Sequence, residues 1–287
     1  KKSLLEYVLI LATVLFPALT THFQTPYFID LFQDSKRLQT NFKGELIPQG
    51  IGILFILCSL PWYALWLVAA KLYLKAAIDM TAFLLLLWAL LAVSLLGFID
   101  DMLGARNVLG LRGHFKAFLS GQLTTGTLKA MGGLLVAFVV SNLWSNRLGE
   151  IMVSTLVLAL FTNLLNLLDL RPGRAIKFYL CLFLVFGLSS VVSGNYQLLV
   201  LMLPFIGTVI GYFPFDLKAS CMMGDAGSNV LGISAGMLAV SQLDYYGKLT
   251  ALVFLIAVHL FAERYSLSDI IAHNKILSLF DNLGRQN

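Results

Sequence analysis

Acidic and amide side chains form three clusters in a chain that otherwise carries few charges, and such clusters are suited to chemistry on phosphates. In chain order they are Asp100-Asp101, Asn163-x-x-Asn166-x-x-Asp169 and Met223-Gly224-Asp225-Ala226-Gly227-Ser228. Carboxylates bind Mg²⁺, which takes one or two of them and fills its shell with substrate phosphate oxygens. Convergence of Asp100, Asp101, Asp169 and Asp225 would therefore form a magnesium-assisted phosphate site.

Each cluster alone also has a purely structural interpretation. A Gly-Asp-x-Gly-Ser string is common in turns, where Asp or Ser caps the backbone. Asn163 and Asn166 share one helical face, with Asp169 about one turn further on, and amides in a membrane helix can simply pair between helices. Asp100 and Asp101 can be part of a solvated loop, although two carboxylates at the end of a helix oppose its macrodipole and favour a nearby cation.

Basic residues accompany the acidic clusters. The segment Leu170-Arg171-Pro172-Gly173-Arg174 is a rigid turn with two guanidiniums, whose planar forks fit phosphate oxygens. Together with the preceding amides and Asp169, Arg171 and Arg174 predict a diphosphate site. A second basic stretch, from Gly110 to Lys116, either binds phosphate or only supplies positive charge to a cytoplasmic loop.

Composition places the chain in the membrane. Hydrophobic residues make up 59% of 287, charged residues 12%, and the mean hydropathy is +0.84, values that exclude an ordinary soluble domain. The net charge of +5 is explained by basic loops near anionic lipid, so no nucleic-acid partner is expected. Three cysteines without metal-site spacing indicate packing residues.

The fold class expected is an all-α polytopic integral membrane protein with about nine to ten transmembrane helices. The runs that predict them are 4–22, 47–70, 79–98, 117–140, 151–168, 176–193, 197–214, 228–245 and 247–263. Gly207-x-x-x-Gly211 and Gly232-x-x-x-Gly236 predict close contacts between helices. Residues 1–263 would form the transmembrane domain and residues 264–287 a cytoplasmic amphipathic tail, because apolar residues recur there at helical spacing.

Most lysines and arginines in the predicted loops fall on one side of the membrane, which the positive-inside rule makes cytoplasmic. All three acidic clusters lie on that side, whereas the amino terminus lies outside. The sequence thus predicts an active site at the cytoplasmic face of the membrane. The tail would lie on the same face, where it could close over the site.

In the order and spacing of these motifs, the chain resembles the polyprenyl-phosphate N-acetylhexosamine-1-phosphate transferases, glycosyltransferase family 4. The resemblance rests on Phe98-Ile99-Asp100-Asp101, on Asn163-x-x-Asn166-x-x-Asp169 and on Met223-Gly224-Asp225-x-Gly227-Ser228-x-x-x-Gly232. It extends from about Gly97 to Gly236. The segment from Asn41 to Pro48 agrees loosely with the first cytoplasmic loop of the family.

The resemblance implies transfer of a sugar 1-phosphate from a UDP-sugar to a polyprenyl phosphate such as undecaprenyl phosphate, with UMP released. It implies that Asp225 binds Mg²⁺ with Asp101 as a second ligand, and that Asp100 orients or deprotonates the lipid phosphate. Lys116 would contact phosphate, and Asn163, Asn166 and Asp169 would line the nucleotide-sugar site. The partners implied are the lipid, the UDP-sugar and the membrane, and a homodimer is allowed.

Two departures from the family keep an alternative open. Typical members continue the Asn-x-x-Asn-x-x-Asp string with Gly-x-Asp-Gly, whereas Pro172 replaces that second aspartate here. Typical members also carry a histidine cluster in the last large cytoplasmic loop, where this chain has His273 alone. A non-catalytic or transport protein of the same fold, which binds a polyprenyl phosphate, is therefore the rival interpretation.

Overall fold

The structure is a computed structural model that describes residues 4–69, 71–72, 79–104 and 124–285, with side chains from residue 8 onward. Helices account for nearly all of these residues, so the all-α prediction is confirmed. The helices are α1 (Leu4–Asp34), α2 (Leu54–Ala69), α3 (Met80–Leu103), α4 (Thr125–Trp144), α5 (Leu148–Leu168), α6 (Arg174–Ser193), α7 (Gln197–Leu201), α8 (Leu203–Leu217), α9 (Gly224–Gln242), α10 (Tyr245–Arg264), α11 (Leu267–His273) and α12 (Lys275–Asn282).

Within the described residues, seven helical segments are long and apolar enough to cross a membrane. They contain α1 to α6 and α10, so the chain is a polytopic membrane protein. The count is lower than the nine to ten expected, for two physical reasons. The run at 197–214 is divided at Met202 into α7 and the short α8. Helix α9 carries so many small and polar residues that it is less apolar than the other long helices.

Helix α9 lies at the centre of the bundle. Almost every residue from Gly224 to Val240 is buried, mainly against α3, α5 and α6. Because other helices cover it on all these sides, α9 needs no lipid-facing leucines, and its glycines, alanines and serines let its neighbours approach closely. The most polar helix of the bundle is thus also its most buried one, which is why hydropathy alone misjudges it.

Both predicted small-residue faces lie at helix contacts. A Cβ atom placed on Gly211 of α8 would lie 2.1 Å from the carbonyl oxygen of Ala18 in α1. On the central helix α9, a Cβ atom at Gly232 would lie 2.4 Å from the Cα atom of Thr162 in α5. These distances leave no room for a side chain, so the prediction of close helix packing is confirmed at both sites.

A small antiparallel hairpin, β1 (Leu38–Thr40) and β2 (Leu46–Pro48), interrupts the helical pattern. Its turn is stabilised by Asn41, whose side-chain oxygen accepts the backbone N–H groups of Lys43 and Glu45. The chain leaving β2 then pairs with the segment before α9, since Met222 N–H donates to Pro48 and Gly52 N–H donates to Met223. The first polar loop thereby holds the start of the central helix in place.

Candidate active site

The end of α3 meets the start of α9, which brings two of the predicted acidic clusters together. A Cβ atom on Gly97 would lie 2.3 Å from the carbonyl oxygen of Asp225, so only glycine permits this crossing. Asp100 and Asp101 follow Gly97 within one helical turn and therefore project towards the first turn of α9. The predicted convergence of Asp100, Asp101 and Asp225 is what the structure contains.

Asp101 caps the amino terminus of α9. Its Oδ1 atom accepts the backbone N–H of Asp225 at 3.0 Å, and its Oδ2 atom accepts that of Ala226 at 2.9 Å. The side-chain amide of Gln49 donates a third hydrogen bond to Oδ1 at 2.9 Å. A carboxylate at this place compensates the positive end of the helix dipole. Gly224 has a φ of 65° and lies against the carboxylate, so a side chain there would be both strained and obstructed.

Asp100 faces a different partner, the ammonium group of Lys129 on α4. The Lys129 Nζ atom lies 2.8 Å from Asp100 Oδ2 and also contacts Asp225 Oδ2. These side chains are partly exposed, at 27% for Lys129, 18% for Asp100 and 19% for Asp225. The result is a partly open cluster in which one cation is shared by two carboxylates, hereafter the Asp100–Lys129–Asp225 cluster.

The residues predicted to bind the nucleotide sugar lie on α5 and directly after it, where α5 packs against α9. Asn163, Asn166 and Asp169 are half-buried, and Asn166 Oδ1 lies 3.5 Å from Ser228 Oγ on α9. Asp169 follows the last residue of α5. Burial, with the negative charges of Asp216, Asp225 and Asp101, raises the pKa of Asp169 well above its usual value. A raised pKa makes protonation of the carboxyl group easier, and the protonated form can donate as well as accept a hydrogen bond.

A small cleft opens beside Asp169, between the hairpin and the turn that follows α5. The guanidinium carbon of Arg171 lies 4.8 Å from the centre of the Phe42 ring on the opposite wall. Asp216 lies at the inner wall, where its Oδ2 atom accepts the backbone N–H of Gly173 at 2.8 Å. Arg171 is thus held by its ring contact at the mouth of this cleft, and its fork is free of ion pairs among the described residues.

The other basic residues assigned from the sequence are placed differently. Arg174 is buried, and it pairs with Asp281 in residues 265–285, hereafter the carboxy-terminal segment. The structure places its guanidinium against Asp281 and Ser268, so its expected contact with substrate phosphate stays a prediction. Lys116, together with the rest of its basic loop, lies outside the described residues.

The carboxylates present fit a magnesium ion only with help from a substrate. Asp100 and Asp225 already turn one oxygen each towards a shared cation, whereas both oxygens of Asp101 are engaged by the α9 cap. Among the described residues, no cluster of three or more histidine, cysteine or acidic side chains could hold a metal alone. This donor set matches the preference of Mg²⁺ for one or two carboxylates plus phosphate oxygens.

Sequence analysis missed Lys129, which lies 29 residues from Asp100 and 96 from Asp225 in the chain. The signal was available, because a charged residue within an apolar span is a functional candidate by default. Gln49 and Phe42 carried no comparable signal. They reach the site only because the hairpin folds back over α9 and the turn after α5.

Comparisons with known proteins agree with this geometry. The model of glycosyl transferase family 4 matches residues 83–242, which include every aspartate of the site. Similar curated proteins carry the name phospho-N-acetylmuramoyl-pentapeptide-transferase. That of Clostridium botulinum (strain Eklund 17B / Type B) is 28% identical over 172 residues, or 55% of this chain and 51% of the relative. That of Streptococcus pneumoniae serotype 2 (strain D39 / NCTC 7466) is 31% identical over 178 residues, or 59% and 52%. The chain thus spans about half the length of these relatives.

Proposed function

Because the chain belongs to glycosyl transferase family 4, we propose that it transfers a sugar 1-phosphate from a UDP-sugar to a polyprenyl phosphate. The products are a polyprenyl-diphosphate sugar and UMP, and the sugar is of the N-acetylhexosamine type. The observation that carries the proposal is the Asp100–Lys129–Asp225 cluster, which gathers carboxylates and a cation at one end of the membrane helices. Such an arrangement suits a reaction between two anionic phosphates, one of which is attached to a lipid.

In the proposed reaction, an oxygen of the lipid phosphate attacks the β-phosphorus of the UDP-sugar. A new P–O bond forms there, and the bond between the β-phosphorus and the oxygen bridging to the α-phosphorus breaks, so that UMP leaves with both electrons. Phosphoryl transfer of this kind depends mainly on positioning and on neutralisation of charge. Asp100 would orient the lipid phosphate or accept its proton, and Asp225 would hold the metal beside it.

The ammonium group of Lys129 supplies a positive charge between the carboxylates before substrate arrives. When anionic phosphates enter, the same group is within reach to neutralise the charge that builds on them. Magnesium, bound by Asp225 and Asp100 together with the phosphates, would supply further charge neutralisation. Asp101 contributes by keeping the amino terminus of α9 in position.

The nucleotide sugar would lie along the edge formed by Asn163, Asn166 and Asp169, with Arg171 available to its phosphates. The positive-inside rule supports a cytoplasmic position for this end of the bundle, the compartment in which nucleotide sugars are found. The lipid would approach from the surrounding bilayer. A bacterial plasma membrane is the location that fits these requirements and the bacterial relatives.

The direct test is release of UMP by the purified protein in detergent. The reaction contains undecaprenyl phosphate, Mg²⁺ and one of several UDP-sugars, among them UDP-N-acetylglucosamine and UDP-N-acetylmuramoyl-pentapeptide. We expect release with one donor, loss of release in EDTA, and its return when excess Mg²⁺ is added. Folded protein that releases no UMP with any donor would favour the rival function, in which the chain binds or moves a polyprenyl phosphate without chemistry.

Replacement of Lys129 provides a first test of the cluster. Lys129→Met keeps the length of the side chain but removes the cation, so Asp100 and Asp225 repel each other and the phosphates lose a counter-charge. We expect a fall in kcat of about 100-fold, which is typical for loss of one preorganised electrostatic contact. Lys71→Met, an exposed lysine beyond the end of α2, is the matched control. A wild-type kcat in Lys129→Met would show that Lys129 has no part in the reaction.

Asp100 and Asp101 are adjacent but should respond differently to amide substitution. Asp100→Asn removes a charge from the cluster and should lower kcat strongly at unchanged stability. Asp101→Asn retains an acceptor for the α9 N–H groups, so its main effect should be a loss of stability, by about 0.5–2 kcal/mol for a weakened helix cap. Turnover and thermal unfolding of both variants separate these roles. Equal loss of kcat in both variants would mean that Asp101 takes part in the reaction itself.

A further inference from the structure

A buried ion pair connects the carboxy-terminal segment to Arg174, the first residue of α6, which directly follows the turn after α5. Asp281 accepts from Arg174 through both oxygens, with Nε–Oδ1 at 2.7 Å and the second guanidinium nitrogen 2.9 Å from Oδ2. The remaining nitrogen of Arg174 donates to Ser268 Oγ at 2.8 Å. The Arg174 and Asp281 side chains are only 7% and 9% exposed. This bidentate pair joins α6 to both short helices of the segment, α11 and α12.

Further contacts make the attachment continuous. The Lys177 ammonium group donates to the backbone carbonyls of Phe280, Asp281 and Leu283, and so it compensates the negative end of the α12 dipole. Arg285 donates from two guanidinium nitrogens to the carbonyl oxygen of Pro172, at 3.2 and 3.1 Å. Arg285 therefore contacts the turn directly, whereas residues 280–283 contact Lys177 of α6, the helix that follows the turn.

The same turn forms a wall of the cleft beside Asp169. Its first part carries Arg171, stacked on Phe42, and its last part carries Gly173, whose N–H group binds Asp216 inside the cleft. Gly173 has a φ of 75°, and a Cβ atom there would lie 2.4 Å from a side-chain carbon of Leu217. The turn is thus tightly packed against Leu217, while Pro172 and the adjacent Arg174 connect it to the carboxy-terminal segment.

From this arrangement we propose that Asp281 is a positioning residue for the nucleotide-sugar cleft, which it shapes from the outside through Arg174. The carboxylate holds Arg174, Arg174 holds the turn from Leu170 to Gly173, and the turn places Asp169 and Arg171 at the cleft. The inference rests on the proposed function for the identity of the ligand, a UDP-sugar. It assigns a task to the carboxy-terminal segment that differs from closure over the site.

Electrostatics at Asp281 agree with this role. Burial raises the pKa of the Asp281 carboxyl, but the hydrogen bond and charge of Arg174, with the charge of Arg285, hold it below its usual range. The carboxylate is therefore ionised at neutral pH. Removal of its charge would leave Arg174 buried without a counter-ion, and a buried unpaired charge forces the surrounding structure to rearrange.

The test uses three variants of the whole 287-residue chain in detergent. Asp281→Asn removes the charge, Asp281→Glu retains it, and Asp269→Asn removes an exposed carboxylate of the same segment as a matched control. Hydrogen exchange at the Gly173 and Arg174 amides reports the turn, and steady-state kinetics report KM for the UDP-sugar separately from kcat. Should Asp281→Asn fail to accumulate, Arg174→Lys keeps the positive charge but loses the bidentate fork.

We expect Asp281→Asn to accelerate exchange at both amides and to raise KM for the UDP-sugar about tenfold, with kcat less affected. Asp281→Glu should recover most of both effects, and Asp269→Asn should match the wild type. Unchanged exchange in Asp281→Asn, or faster exchange with unchanged KM, would overturn the proposal. A wild-type protein that releases no UMP would instead refute the proposed function. The difference in hydrogen exchange between Asp281→Asn and the wild type would still decide whether Asp281 holds the turn.

Discussion

Asp225→Asn is expected to lower UMP release at least about 100-fold while the protein remains folded. The substitution keeps the shape of the side chain but removes the charge that faces Lys129, and with it one of the two carboxylates available to a metal. Folding should survive because the Asp101 cap uses the backbone N–H of residue 225 and not its side chain. The measurement is UMP release under saturating Mg²⁺, together with thermal unfolding of the same preparation.

Asp30→Asn, which neutralises an exposed carboxylate on α1, serves as the control for the loss of one negative charge. Mg²⁺ titration adds a second criterion, since a variant that has lost a metal ligand should need more Mg²⁺ for whatever activity remains. Turnover of Asp225→Asn close to that of the wild type would show that the Asp100–Lys129–Asp225 cluster is an ion-pair network with a structural role alone.

Gly97→Ala is expected to lower the stability of the protein strongly for a change of one methyl group. The added Cβ atom would lie 2.3 Å from the Asp225 carbonyl oxygen, so α3 and α9 would have to separate. Overpacking of this kind costs about 1–3 kcal/mol. Because the backbone of Asp225 must move, transfer activity should fall as well, even at temperatures where the variant is folded.

The matched control is Gly133→Ala on α4, where a Cβ atom would meet nothing within 4 Å. There the substitution should leave stability unchanged or raise it, because alanine favours a helix by about 1 kcal/mol relative to glycine. Thermal unfolding in one detergent compares the two variants. Equal melting temperatures for both would mean that α3 and α9 do not cross as closely as the structure has them.

Both predictions concern the same crossing, in which catalytic geometry depends on helix packing. Asp101 and Gly97 bring α3 against the first turn of α9, and the hairpin supports that turn from the other side through Gln49. Asp225 is therefore placed by backbone contacts and not by its own side chain. A substitution that alters the crossing should change activity in proportion to its effect on these contacts.

The carboxy-terminal segment shows how far amphipathicity can be read from sequence. Apolar residues at helical spacing predicted an amphipathic helix over the tail, and the structure contains two short helices, α11 and α12, separated at Asn274. The polar side of α12 faces the protein, where Asp281 is buried, while Ile276 and Leu279 are 79% and 74% exposed. Periodicity identified the faces of this helix but not which face contacts the protein, because that depends on Arg174, more than a hundred residues away.

The sequence alone determined the class of the protein, because hydropathy and helix-length runs are local properties that require no partner. It also determined that Asp100, Asp101, Asp169 and Asp225 belong to one end of the spans, since alternating crossings leave little freedom. The tertiary structure decided which structural role each of these carboxylates has. Asp101 caps α9 and Asp100 pairs with Lys129. The rotation of α3 about its axis determines which of the two adjacent carboxylates faces α9, and packing at Gly97 sets that rotation. It likewise assigned Arg174 to Asp281, because a buried guanidinium binds the carboxylate that folding brings to it, whatever their separation in the chain.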